Sequence, residues 1–67
     1  MSVIIIENEE FIFHEVKFKD SVRFAIAGPV RGEGKCAWHA VSPAGMNEEE
    51  AKEFLKKVAE KHLKGDD

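Results

Sequence analysis

The sequence predicts an α+β fold in which an antiparallel β-sheet of three to four strands carries one C-terminal helix on one face. Three observations predict it. Short β-branched and aromatic runs fill the first part of the chain, turn-forming residues separate these runs, and one long helical pattern follows them. Strands that precede a single terminal helix are typical of two packed layers. We expect residues 1–67 to form a single domain.

The C-terminal segment has the clearest pattern, because its apolar residues recur at spacings of three and four and so share one side of a helix. Asn47 with Glu50 three residues later is typical of a capping box, and Gly65 is suited to the left-handed conformation that closes a helix. The pattern predicts a helix over residues 48–64. Its apolar stripe comprises Ala51, Phe54, Leu55, Val58, Ala59, His62 and Leu63.

Four earlier segments have strand character, at residues 2–6, 11–19, 22–27 and 36–42. The first is apolar on both sides, which indicates a strand covered on both faces or one that pairs with another subunit. The second and third form a predicted hairpin around Asp20 and Ser21. Its inner face is predicted to comprise Ile12, Val16, Phe18, Val22, Phe24 and Ile26. Residues 28–35 contain three glycines and a proline and are predicted to be a loop. Trp38, in the fourth strand, is predicted to be a core residue.

Composition limits the classes of function. Thirteen acidic and ten basic side chains give a formal net charge of −3, which argues mildly against non-specific binding to a polyanion. A single cysteine permits no intramolecular disulfide and fits a reducing compartment. The apolar run of residues 3–6 is too short to span a bilayer. We therefore expect a cytoplasmic protein that does not bind membranes. A chain of this size without disulfides also favours a homodimer.

The sequence contains no motif with the spacing that catalysis or ligand binding requires. A phosphate-binding loop has four residues between its first glycine and its Gly-Lys pair, whereas five residues separate Gly28 from Gly34 here. Cys36 and His39 are three residues apart on a predicted strand, so their side chains point to opposite faces unless the segment turns. We expect no catalytic residue, no cofactor, no metal ion and no enzymatic activity.

The second face of the long strand is the most informative feature. Phe11 and Phe13 share it with Lys17 and Lys19, and Arg23 lies beside them on the next predicted strand. Aromatic rings stack on bases and lysines contact phosphates, as in single-stranded nucleic-acid binding. Aromatic residues with arginine also describe the cores of protein interfaces. In a third interpretation, a β-bulge near His14 turns both phenylalanines into the core. The candidate partner or nucleic-acid face comprises Phe11, Phe13, Lys17, Lys19, Arg23, Arg31 and Lys35.

Two functional hypotheses follow. In the first, the protein is a small non-enzymatic interaction or regulatory module that binds a protein partner and associates with itself. In the alternative, it is a single-stranded nucleic-acid-binding protein that uses the aromatic and basic face. The acidic balance and the doubly apolar first strand favour the first hypothesis.

Parts of the chain resemble three families at the level of layout. Four strands followed by a helix that begins near residues 45–50 resemble the dimeric single-strand-binding domain of a transcriptional coactivator. Residues 50–63 are similar to the last helix of double-stranded RNA-binding domains, although Glu48 and Glu49 stand where that family presents lysines. Residues 40–67 resemble small archaeal chromatin proteins with an SH3-like barrel, which are strongly basic. Because likeness of fold does not transfer function, no site residue is taken from these families.

Overall fold

The computed structural model describes residues 2–65. Four strands form one antiparallel sheet, in which they lie side by side in chain order, and a single helix packs against one face of it. This arrangement confirms the predicted fold class. Within residues 2–65, no helix is both long and apolar enough to cross a membrane. The elements are β1 (Ser2–Ile6), β2 (Glu9–Lys17), β3 (Val22–Arg31), a 3-10 turn (Gly32–Gly34), β4 (Lys35–Val41) and α1 (Glu48–Lys64).

Tight turns set the register of the sheet. Glu7 and Asn8 connect β1 to β2 and both have positive φ, at 52° and 65°, as a two-residue hairpin turn of the primed type requires. Residues 18–21 connect β2 to β3, and the Phe18 N–H donates to the Ser21 carbonyl at 2.8 Å. This loop places Lys17 opposite Val22. As a result, even-numbered residues of β2 lie opposite odd-numbered residues of β3.

The predicted loop over residues 28–35 is wrong, because β3 continues through Gly28 and Pro29 to Arg31. The register with β4 holds on both sides of the proline, with Gly28 opposite Trp38 and Val30 opposite Cys36. Proline is tolerated here because β2 pairs with β3 only as far as Ala27, so this end of β3 has a partner on one side only. The turn between β3 and β4 is correspondingly short.

The helix begins and ends where the sequence predicts. The Glu50 N–H donates to Asn47 Oδ1 at 2.8 Å, and the Asn47 N–H donates to Glu50 Oε1 at 3.2 Å, which completes the capping box. Gly65 adopts the left-handed conformation with φ 77°, and its N–H donates to the His62 carbonyl at 3.1 Å. Both ends of α1 therefore have partners for backbone groups that the helix itself leaves unpaired.

Replacing the N-cap should destabilise the protein by a measurable amount. Asn47→Ala removes the side-chain acceptor for the Glu50 N–H, which should lower the free energy of unfolding by about 1 kcal/mol. Urea denaturation followed by circular dichroism measures this loss. Glu53→Ala changes an exposed residue of the same helix and should cost less than about 0.5 kcal/mol. Equal losses in the two variants would contradict the capping role of Asn47.

The core lies between α1 and the side of the sheet that α1 covers. Phe24 and Ile26 belong to it, as predicted, but the rest of the predicted inner face is wrong. Ile12 and Val16 point away from the helix, and Phe18 and Val22 are exposed. From the helix, residues spaced by four contribute to the core, while Phe54 is partly exposed. The buried cluster comprises Ile6, Phe11, Phe13, Phe24, Ile26, Ala51, Leu55 and Ala59.

Aromatic rings fill the part of the core between β2 and β4. The Phe11 ring crosses over Gly28, whose Cα carries no side chain, and meets the edge of Trp38 at a centroid distance of 6.2 Å. The Trp38 indole in turn stacks on His62 of α1, with ring centroids 4.5 Å apart. Trp38 thus packs against the core while staying half-buried, and it joins the sheet to the last turns of the helix.

Candidate interaction surface

Phe11 and Phe13 do not lie on an accessible face. Phe11 is 0% exposed and Phe13 is 3% exposed, because α1 covers their side of the sheet. The prediction that these two rings are accessible to a partner is therefore wrong. No bulge is needed to bury them, since β2 pairs with β3 without interruption from Ile12 to Lys17. The helix α1 packs against the side of the sheet that carries Phe11 and Phe13.

The basic residues of the predicted face do not come together either. Lys17 lies at the end of β2 on the helix side, and Lys19 lies in the following turn. Arg23 is on the opposite side, where its guanidinium carbon is 5.1 Å from the centroid of the Phe18 ring. Its Nε is buried and lacks a hydrogen-bond partner within the described residues. The nucleic-acid alternative therefore stays a prediction, but the two rings proposed to stack on bases, Phe11 and Phe13, are buried.

Arg31 and Lys35 lie opposite each other at the other end of the sheet. Arg31 is paired rather than free, because its Nη1 donates to Glu9 Oε1 at 3.0 Å and its Nη2 donates to Glu9 Oε2 at 3.3 Å. These hydrogen bonds, and then the charge of Glu9, raise the pKa of the Arg31 guanidinium. The pair links β2 to β3 at the surface and offsets one of the two positive charges at this end.

The side of the sheet that faces away from α1 carries a set of apolar side chains, which we call the open face, beside the polar residues Glu10, His14, Arg23 and His39. Strand alternation assigns its members, since Val3 pairs with Ile12, Ile12 with Ala27, and Ala25 with Val41. All four strands contribute to it. The open face comprises Val3, Ile5, Ile12, Val16, Ala25, Ala27 and Val41.

The edge strands expose the largest apolar side chains of the open face. Ile5 is 62% exposed and Val3 is 57% exposed on β1, and Val41 is exposed on β4. The central strands contribute half-buried Ile12 and Val16, which neighbouring side chains partly cover. One sequence feature indicates this surface, namely that β1 is apolar on both sides. One side of β1 faces the core, and the other side belongs to the open face.

The remaining polar groups do not converge on a site. A shallow groove of about 170 Å³ at one end of the sheet is smaller than the roughly 300–1,000 Å³ of ordinary ligand pockets. His14 and Glu15 both contribute to its wall, but as neighbours in β2 they point to opposite faces. Among residues 2–65, no group of three or more His, Cys, Asp or Glu side chains is placed to hold a metal ion. The groove is lined by Ser2, Phe13, His14, Glu15, Phe24 and Glu48.

Comparisons with protein-family models, with curated proteins and with solved structures found no match for this chain. The fold and the surface define it as a two-layer α+β protein whose sheet is covered by a helix on one side and exposes apolar side chains on the other.

Proposed function

We propose that this protein is a small non-enzymatic interaction module that binds a protein partner through the open face of its sheet. The observation that carries the proposal is the exposure of Val3 and Ile5 on β1 and of Val41 on β4, all on the side of the sheet that α1 does not cover. Contiguous apolar surface of this kind costs free energy in water and marks interaction sites when it is large. The proposal includes a regulatory role exerted through that partner.

The shape of the molecule supports the proposal. Its dimensions are 33 × 26 × 17 Å, so the short axis spans one sheet and one helix. The radius of gyration is 11.6 Å, whereas a compact chain of this length is expected to have about 10.9 Å. The accessible surface is 4706 Å², against roughly 4,250 Å² for a monomer of this mass. A slab of two layers leaves one apolar sheet face without a covering layer.

A cytoplasmic location is part of the proposal. Cys36 is an exposed free thiol, and such thiols persist where glutathione and thioredoxin keep cysteines reduced. Its Sγ lies 3.8 Å from the Gly34 carbonyl oxygen, at the turn between β3 and β4. In an oxidising compartment this thiol would be open to intermolecular disulfide formation.

Site-specific crosslinking tests the proposed function. A photoreactive amino acid at position 5, on the open face, should form crosslinks to protein in cells that express the chain. The same amino acid at position 22, which is exposed on the helix side of β3, should not. Introducing Val41→Lys into the position-5 variant should reduce the crosslinks, because a lysine would place a charge in the apolar contact. Equal crosslinking from positions 5 and 22 would contradict the proposal.

A further inference from the structure

We infer that the occupant of the open face is a second copy of this chain, packed sheet against sheet. The inference rests on the proposed function, and it names the partner of that same surface. Its starting point is that the apolar side chains reach from one edge of the sheet to the other, from Ile5 on β1 to Val41 on β4. A ligand that used a single strand edge would leave the rest of this surface in water.

The twist of the sheet fits another sheet of the same twist. Strands of antiparallel sheets carry a right-handed twist, and two such sheets pack face to face about 10 Å apart with their strands at roughly 30°. A second copy brings a face with the same number of strands and the same hand of twist, so two such faces can pack with their strands aligned. The resulting order of layers is helix, sheet, sheet, helix, in which both sheets are covered on both sides.

The area of the open face places such a dimer at the lower limit of specific interfaces, where association is weak. Strands spaced about 4.8 Å apart, each with roughly seven residues rising about 3.3 Å, give a four-stranded face of about 450 Å² in projection. With the relief of the side chains, two faces in contact bury on the order of 1,000–1,200 Å². Specific stable interfaces begin at about 1,200 Å². We therefore expect a dimer whose population depends on protein concentration.

Charge is distributed in a way that permits self-contact. The middle of the open face is uncharged and formed by Ile12, Ala25 and Ala27, with His14 and His39 as its titratable neighbours. Charged side chains lie toward the ends, with Arg23 at one end and with Arg31 and Glu10, which is opposite Ile5, at the other. Two copies would bury the uncharged middle while the charged groups stay in contact with water, which avoids the cost of burying an unpaired charge.

Sedimentation equilibrium of the full chain and of matched variants tests the inference. Wild-type protein should approach twice its monomer mass of 7.5 kDa at high concentration. At about 1 mM, even a dissociation constant near 100 μM leaves most of the protein dimeric. Val41→Lys on β4 and Ile5→Lys on β1 should each keep the protein near the monomer mass, because each places a charge inside the contact. Val22→Lys is the control, since Val22 and Val41 are 42% and 41% exposed but lie on opposite sides of the sheet.

The outcomes separate this inference from the proposed function. A strict wild-type monomer at about 1 mM overturns the second copy as occupant, while crosslinks from position 5 to a different protein would still support the interaction module. A dimer that Ile5→Lys dissociates but Val41→Lys does not would be one that pairs through the edge of β1, and it also overturns the face-to-face contact. Loss of the dimer in Val22→Lys would also overturn the face-to-face contact, because Val22 lies on the helix side of the sheet. Circular dichroism of each variant shows that the folded structure is retained.

Discussion

The Phe11→Ala variant should lose about 3–5 kcal/mol of its free energy of unfolding, which is a large part of the stability of a chain this small. Phe11 is fully buried between β2 and α1, and its ring contacts Trp38 and covers Gly28. Alanine would leave a cavity that these neighbours fill only in part. Urea denaturation of dilute protein, followed by far-ultraviolet circular dichroism, measures the loss without a contribution from self-association.

Phe18→Ala is the matched control for Phe11→Ala. Phe18 is 49% exposed in the loop that follows β2, and the guanidinium carbon of Arg23 lies 5.1 Å from the centroid of its ring. Its removal should cost less than about 1 kcal/mol, the usual value of an exposed cation–π contact. If Phe18→Ala destabilised the protein as much as Phe11→Ala, the two side chains would not have the burial described above.

This pair of variants addresses the point at which sequence reasoning assigned the wrong inner face to β2. Both sides of β2 carry apolar residues, with Phe11 and Phe13 on one side and Ile12 and Val16 on the other. Alternation shows that the two sets are separate, but it does not say which set the helix covers. The open face is itself apolar, so the usual contrast between a buried and a solvated side is weak in this sheet.

The hairpin register decides which residues of β3 join each set. Sequence reasoning grouped Ile12 and Val16 with Phe24 and Ile26, but the loop of residues 18–21 places Ile26 opposite Phe13. A shift of one residue exchanges the two faces of a strand completely. Because the length of a loop is less certain from sequence than the presence of a turn, the faces of two neighbouring strands were combined incorrectly.

The helix was predictable because its signals are local. Asn47, Glu50 and Gly65 act through contacts within a few residues, so the capping box and the left-handed C-cap follow from the sequence alone. The passage of β3 through Gly28 and Pro29 was not predictable in this way. It depends on the fact that β2 stops pairing with β3 before the proline, which is a property of the whole sheet.

The open face was indicated by sequence only through β1. Val3 and Ile5 alternate with Ile4 and Ile6, so β1 lacks a polar side. The structure buries Ile6 beneath α1 and exposes Val3 and Ile5. A strand that is apolar on both sides in a two-layer protein has one side without a partner within the molecule. The composition of β1 is therefore what the proposed contact between sheets requires.

The second large effect is expected at Gly28, where Gly28→Ala should lower the free energy of unfolding by about 1–3 kcal/mol. A Cβ at this position would lie 2.6 Å from Cδ2 of Phe11 and 3.0 Å from the Glu10 carbonyl oxygen. The Phe11 ring is fully buried among core side chains, and the carbonyl belongs to the neighbouring strand. Urea denaturation measures the loss, and a shift in the near-ultraviolet signal of Trp38 should report the displaced ring.

Gly32→Ala provides the control, because no atom lies within 4 Å of the Cβ that it would add. Its effect should be neutral or stabilising by up to about 1 kcal/mol, since alanine restricts the unfolded chain. Combining Gly28→Ala with Phe11→Leu should give a loss smaller than the sum of the two single losses, by at least about 0.5 kcal/mol, because the shorter side chain relieves the overlap. Strictly additive losses would mean that Gly28 is needed for a reason other than the space that the Phe11 ring occupies.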